Sequence, residues 1–311
     1  MTTLEAMTRI ACTSWKRWPI IGLALLALLT LGACSAVRLG YNQGPQLAMW
    51  WMDGYLDFDS EQSPRVREAL TRWFAWHRRT QLPDYAALLD RVQADMDRPT
   101  NAEQVCRWSE AMRSRMEPVV EQSLPLIADL VPTMTGAQIT RLEQRFAKSN
   151  EKFRETYLQE DPQARMKAAV ERAVERFENV YGRLDDAQRE RVAAGVKARP
   201  QATQAWYEER LARQAEMLRS LRQLMAERGD RARTLATLRQ VAARWEGPRW
   251  EAGRPVPAPM LAQCEWIASV HNATTPAQRR KAREKLRGWE QDLRALAAQA
   301  APVVQAEAVT R

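Results

Sequence analysis

Between residues 139 and 225, apolar residues recur at steps of three, four or seven. Ile139, Leu142, Phe146, Phe153 and Tyr157 form one stripe. Met166, Val170, Ala173, Phe177 and Val180 form a second, and Tyr207, Leu211, Ala215, Leu218, Leu221 and Met225 a third. That period sets each group on one face of an α-helix, with Arg, Glu and Gln covering the rest. Asp161-Pro162 predicts a break between the first two helices, and Gly229 a stop after the third. Nowhere does a run alternate apolar and polar residues as a strand would. The expected fold is all-α, a multi-helix antiparallel bundle or elongated helical array with no significant sheet.

A four-residue signal repeats at the predicted helix starts: a capping residue, two others, then glutamine. It occurs as Asp59 with Gln62, Asn101 with Gln104, Thr135 with Gln138, Asp185 with Gln188, and Thr275 with Gln278. In a capping box the first side chain accepts from an orphan N–H near the third helical residue, and the glutamine reaches back to the N–H of the cap. Phe58, Met134 and Leu184 precede three of the caps, and Met134 is placed to staple against Ile139. Pro276 occupies the first helical position, where its missing N–H costs nothing.

Composition agrees with helices. The 311 residues are 45% hydrophobic and 27% charged, with 12 Gly and 16 Pro. Valine and isoleucine are sparse beside alanine, leucine and arginine, which argues against sheet proteins. Two histidines leave little for His-based catalysis or a His-rich metal site. There is no G-x-S-x-G elbow, H-E-x-x-H, P-loop or dinucleotide fingerprint. No catalytic residue, metal ligand or cofactor is assigned, and the chain is not expected to be an enzyme.

The N-terminus carries its own pattern. Arg9, Lys16 and Arg17 precede an uncharged apolar run from Ile20 to Leu31, which ends in Leu31-Gly32-Ala33-Cys34. The run has the length of a signal-peptide core and is short for a membrane span. The order of charge, apolar run and small residues before a cysteine resembles a bacterial lipobox, which implies cleavage after residue 33 and acylation of Cys34. Ser35, rather than Asp, resembles the sorting pattern of the outer membrane, so the anchor is expected in its inner leaflet, facing the periplasm. The expected organisation is a cleaved signal over 1–33, a lipidated tether over 34–45, one helical periplasmic domain over 46–298 and a tail over 299–311. Loss of Glu5, Arg9, Lys16 and Arg17 with the signal lowers the net charge from +9 to +7. That excess permits attraction to anionic surfaces. Its basic residues are spread beside Glu along the helices, and export makes nucleic acid an unexpected partner.

Removing Cys12 with the signal and Cys34 with the lipid leaves Cys106 and Cys264. Two spare thiols in an oxidising compartment predict one disulfide, two buried free thiols being the alternative. The closed loop would stabilise by about 5 kcal/mol in the chain-entropy account.

Met134-Thr135-Gly136-Ala137-Gln138 and Leu184-Asp185-Asp186-Ala187-Gln188 resemble the LTxxQ motif of Spy/CpxP-type periplasmic helical proteins, each departing from it in one position. That resemblance implies helical hairpins with a chaperone or envelope-stress role. Cys34, Arg38 to Asn42, Trp50 to Phe58, and Trp76-His77-Arg78-Arg79 resemble a proteobacterial lipoprotein family of unknown function, over nearly the whole mature chain. That resemblance implies an envelope lipoprotein and no established activity.

Two aromatic segments invite a role. Tyr41, Trp50, Trp51, Tyr55 and Phe58 suit either a membrane interface or the first core helix. The core is the expectation, because Asp53, Asp57 and Asp59 sit poorly against anionic lipid. Trp73, Trp76, His77, Arg78 and Arg79 could form a stacking and anion-binding surface. The alternative is inward tryptophans with arginines extended to solvent. His271 is expected near a helix end, where a positive charge suits the dipole. The functional expectation is an interaction protein, chaperone-like or stress-related, or else a structural lipoprotein docking on an envelope complex; an enzyme acting on envelope glycan or lipid is the third reading, against which the absence of a catalytic motif counts. Its partners are the membrane, through the lipid, and an envelope protein.

Overall fold

The computed structural model describes residues 36–227, 230–246, 250 and 254–299. Cys34, the signal segment and Gly229 lie outside the described residues. In chain order the helices are α1 (Ala36–Asn42), α2 (Gly44–Leu56), α3 (Gln62–Asp95), α4 (Ala102–Ser114), α5 (Met116–Leu130), α6 (Gly136–Tyr157) and α7 (Pro162–Tyr181). They continue with α8 (Asp186–Lys197), α9 (Ala202–Glu227), α10 (Arg231–Glu246), α11 (Ala258–Asn272) and α12 (Pro276–Ala298). A single 3₁₀ turn, Val131–Thr133, joins α5 to α6. The fold is an all-α array, with no strand among the described residues. The chain divides into two compact units, residues 1–43 and 44–311. In the first, α1 is described; everything below concerns the second.

At 34 residues, α3 is about 51 Å long and serves as the spine. Near its start, Val66 and Leu70 pack with Met49 of α2 and Leu130 of α5. Toward its end, Leu89, Val92 and Met96 join a core made with Tyr181, Leu184, Val192 and Val270. Over its C-terminal half α3 packs against α12, from Arg78 beside Gln299 to Gln93 beside Glu290. A separate core gathers Leu124, Ile139, Leu142, Leu221 and Leu235 from α5, α6, α9 and α10. The stripe expected on α9 is displaced: Leu211 and Ala215 are exposed, and Leu218, Leu221 and Leu224 carry the burial. On α8, the ring of Trp266 lies so close to Gly195 that a Cβ there would stand 2.0 Å from it. The glycine is the space into which α11 packs.

The helix starts hold the array together through their glutamines. Asp59 accepts from the N–H groups of Glu61 and Gln62 at 2.8 Å, and Gln62 Oε1 accepts from Asp59 N–H at 3.3 Å. The regular helix opens at Gln62, so Asp59 caps the turn that leads into it. Thr135 and Gln138, Asp185 and Gln188, and Thr275 and Gln278 each form a complete capping box. These boxes meet in pairs. Gln138 Nε2 donates to Gln62 Oε1 at 2.6 Å, and Gln62 Nε2 donates back to Gln138 Oε1 at 3.3 Å. Gln188 and Gln278 exchange the same two bonds, both at 2.8 Å.

Each Nε2 also donates to the carbonyl two residues before the partner's cap. Gln62 takes Thr133 O, Gln138 takes Asp57 O, Gln188 takes Ala273 O and Gln278 takes Arg183 O. Every amide thus uses two donors and two acceptor positions, its full capacity. Gln62, Gln138 and Gln188 are buried, so none of these bonds is exchanged freely with water. Asn101 differs. It accepts from Gln104 N–H at 2.9 Å, but the Gln104 side chain turns to Asp95 and Arg107 instead of reaching back. The box expected there is half formed, because Asp95 and Arg107 offer charged partners that the cap N–H does not.

Cys106 of α4 and Cys264 of α11 are joined by a disulfide with Cα atoms 5.6 Å apart, across a sequence separation of 158. Both are buried, beside Val105, Trp250 and Ala268. Met134 packs in the same core as Ile139, the staple geometry expected for it.

Gln188→Ala leaves Asp185 N–H, Ala273 O and half of Gln278 without partners, and should cost about 3 kcal/mol of stability. Gln104→Ala, at the unpaired box, should cost less than about 1 kcal/mol. Urea denaturation of the two variants measures the contrast. Replacing both Cys106 and Cys264 by Ser should lower stability by about 2–5 kcal/mol, read the same way, with a Cys106–Cys264 peptide recovered from the parent under non-reducing conditions.

Candidate functional site

The aromatic segment ahead of α3 divides by helical period. Met49 is buried, and Met52 and Leu56 pack beside it toward α3 and α5. Tyr55 packs on the α5–α6–α9 core, 6.2 Å from the Phe146 ring. Trp50 and Trp51 face outward, 76% and 58% exposed, and Leu47 is 53% exposed. The expectation that the tryptophans fill the core is therefore corrected. Successive residues of a helix point about 100° apart, so a seam through 49, 52 and 56 turns 47, 50 and 51 away. The three aspartates are used by the chain itself. Asp53 accepts Phe58 N–H at 3.0 Å, Asp57 pairs with Arg141 at 3.2 Å, and Asp59 is the cap described above. Asp57 has φ 53°, a left-handed conformation that Asp tolerates, and it turns the chain out of α2.

Of the segment 73–79, the structure brings together Trp73, Trp76 and His77. The His77 imidazole stacks on Trp73 at 4.9 Å and meets the Tyr85 ring edge-on at 5.6 Å. Burial pushes its pKa down to about 4. Arg78 donates to Gln299 Oε1 at 3.0 Å, at the end of α12, and Arg79 is exposed. The two arginines are thus not gathered with the rings around a shared opening.

His271 is buried, with Nε2 2.9 Å from Arg98 O and Nδ1 2.9 Å from the Tyr181 hydroxyl. A carbonyl only accepts, so Nε2 carries the proton and Nδ1 accepts from Tyr181. Burial lowers the His271 pKa and pushes Tyr181 up to about 12. The expected helix-end cation is corrected to a neutral imidazole that joins α7, α11 and the residues after α3.

A cleft of about 730 Å³ opens where α6, α7 and α9 meet. Phe153 is its floor, parallel to Tyr207 at 5.4 Å and packed on Trp206 at 4.8 Å and Tyr157 at 4.6 Å. Trp206 is 49% exposed. Three cations, Lys152, Arg176 and Arg210, line the cleft, and no carboxylate is among its lining residues. Arg210 is fixed in place, donating to Asn150 Oδ1 at 2.9 Å and Ser149 Oγ at 2.7 Å beside the Trp206 ring. A fourth, Arg172, lies over Tyr157 at 4.7 Å. Neutral acceptors hold Arg210 without cancelling its charge. The cleft therefore offers flat apolar faces and fixed positive charge together, a combination that suits an anionic group attached to a ring or apolar body. The sequence does not reveal it, since Phe153 belongs to an ordinary apolar stripe while Arg176 and Trp206 lie beside the stripes of their helices, among the residues that cover the remaining faces. Among the described residues no three His, Cys, Asp or Glu side chains are grouped as a metal site would require.

A family model matches residues 54–246, and the chain belongs to that family, a family of unknown function (DUF6279). No curated protein and no solved structure matches the chain. The matched span holds the aromatic cleft and the Gln62–Gln138 pair. Leu47, Trp50, Trp51 and the Thr275 box lie outside it.

Both histidines have folded pKa values below the 6.5 of an unfolded chain. The unfolded chain binds more protons below pH 6.5, so stability is lost as the pH falls from about 6.5 toward 4. Melting curves between pH 7 and 5 should show that decline. His77→Phe keeps an aromatic ring on Trp73, removes one of the two titrations and should make the decline shallower, leaving the part due to His271.

Proposed function

We propose that this chain is a lipid-anchored protein of the bacterial envelope that acts by binding. Acylated Cys34 holds it at the inner leaflet of the outer membrane, with the helical array in the periplasm. The cleft of α6, α7 and α9 is its partner surface. The observation that carries this reading is the cleft itself, with ring faces and uncancelled cations on one opening. Both histidines are committed to packing, His77 on Trp73 and His271 between Tyr181 and Arg98, which supports a binding role over acid–base chemistry. The partner is an envelope component bearing negative charge. Electrostatic attraction would speed encounter, and the rings would fix the bound pose.

Two versions of this role differ in breadth. A chaperone-like factor engages many unfolded clients, and a docking lipoprotein engages one defined partner. Crosslinking in intact envelopes, followed by capture of the lipidated protein, should recover a partner that is lost with Trp206→Ala or Arg176→Glu. Unchanged recovery with both variants would remove the cleft from the proposal. Recovery of a single species favours docking, and suppression of aggregation across several unrelated clients favours the chaperone. Cys34→Ala should leave an unprocessed precursor without fatty-acid label; normal maturation of that variant would overturn the anchor.

A further inference from the structure

We infer that the outward face of α2, formed by Leu47, Trp50 and Trp51, lies in the headgroup region of a phospholipid membrane. The inference rests on the anchored reading above, which brings α2 to a lipid surface. The argument begins with the division of α2 into two faces. Its inward seam is satisfied by α3 and α5. Its outward face exposes three large apolar side chains at positions i, i+3 and i+4, the tryptophans at 76% and 58% and the leucine at 53%. A helix face of this kind left in water is a docking surface.

What covers it follows from the chemistry of the face. Indole rings favour the boundary between hydrocarbon and water, with the ring in the apolar layer and the N–H among headgroups. Asp53 is the only charged residue in α2, and its carboxylate is occupied by Phe58 N–H. Asp57, just past the helix, is neutralised by Arg141. A backbone N–H orients the Asp53 and Asp59 carboxylates without removing their charge, so the face suits a headgroup layer in which zwitterionic lipid dilutes the anionic. Two basic residues flank the helix: Arg145 donates to Gly54 O at 2.5 Å, and Arg67 lines a groove with Met49, Trp50, Asp53 and Phe58, so that one cation stands with the one carboxylate there.

The short segment before α2 supplies the proximity. Cys34 precedes Leu47 by 13 residues, and most of them are helical, rising about 1.5 Å each, so the separation is well under the roughly 45 Å of an extended chain. With its acyl chains in a bilayer, the tether raises the local concentration of lipid at α2, so a weak interfacial helix would suffice to hold the body flat on the surface. A lone acyl tether would leave the array to swing. The tryptophan face adds a second attachment point and so fixes which side of the protein meets the membrane.

The test uses the mature lipidated protein and W50A/W51A, each incorporated into phosphatidylethanolamine–phosphatidylglycerol vesicles with plain or brominated acyl chains. Both proteins should float with the vesicles, and mass spectrometry should find the acylated Cys34. Brominated lipid should quench and blue-shift part of the wild-type tryptophan emission, and most of that quenching should vanish in the variant. Trp50 is 76% exposed and Trp51 loses one ring contact, with Tyr55 at 4.7 Å, so the variant should stay folded with a melting temperature lowered by no more than a few degrees. Flotation with equal quenching in the two proteins, or with none, overturns the inference and leaves the anchor standing. Quenching by added vesicles that depends on Trp50 and Trp51, in a chain whose mass shows no acyl group, removes the anchor and sustains the lipid-facing helix. If a photoreactive residue at position 47 captures an envelope protein and no lipid quenching is found, the face belongs to that protein and the inference fails.

Discussion

A primary amide has two donors and two acceptor positions, and in this fold four of them are used to capacity. Gln62 with Gln138, and Gln188 with Gln278, lock helix starts that are far apart in sequence. A glutamate would satisfy an isolated capping box equally well. Here it would set a carboxylate against the partner's Oε1 and a backbone carbonyl, with no proton to share. The choice of glutamine is therefore a tertiary constraint. Neighbouring features follow from it: Met134 and Leu184 enter the cores beside the paired boxes, and the caps set where α3, α6, α8 and α12 begin.

The same interaction explains how much of the fold was legible beforehand. All five helix starts were readable, because a capping box is local and its residues are adjacent. Which box faces which was not readable, because nothing within four residues encodes a partner 76 or 90 positions away. At Asn101 the local reading went too far: Asp95 and Arg107, the one before the helix and the other a turn inside it, draw Gln104 away from the cap. The pairing of Cys106 with Cys264 came from elimination alone, and the structure joins them. Trp50 and Trp51 are not in the core as expected: Asp53, Asp57 and Asp59 argue against a lipid contact but do not say which face of α2 the seam takes. Their neighbours Met49 and Met52 already mark that seam.

The cleft shows a different limit. Its residues come from three helices, and within each helix they hold ordinary positions: Phe153 and Tyr157 in the apolar stripe of α6, Arg176 beside the stripe of α7, Trp206 and Arg210 beside that of α9. A site assembled from ordinary positions leaves no motif. Its signature is the gathering of cations with no carboxylate on one aromatic opening, whereas many surface arginines are met by acids, as Arg231 is by Asp129 and Arg239 by Glu121. Surface pairs of that kind add little stability, but they do cancel field. Where they are missing, positive potential remains for something else to meet.

The spine has a consequence for how the molecule is made. α3 is among the first segments to emerge during synthesis, and α12, which packs on its C-terminal half, is the last helix among the described residues. Until residue 298 is available, the surface of α3 destined for α12 has no native cover, and the Gln188–Gln278 lock cannot close. Folding can proceed early around α2, α5 and α6, where the Gln62–Gln138 lock needs only the first 138 residues. The far end must wait. Contacts of such long sequence separation are slow to form and leave apolar surface exposed meanwhile. The growing chain therefore has a built-in interval during which the second half of its longest helix lacks its native cover.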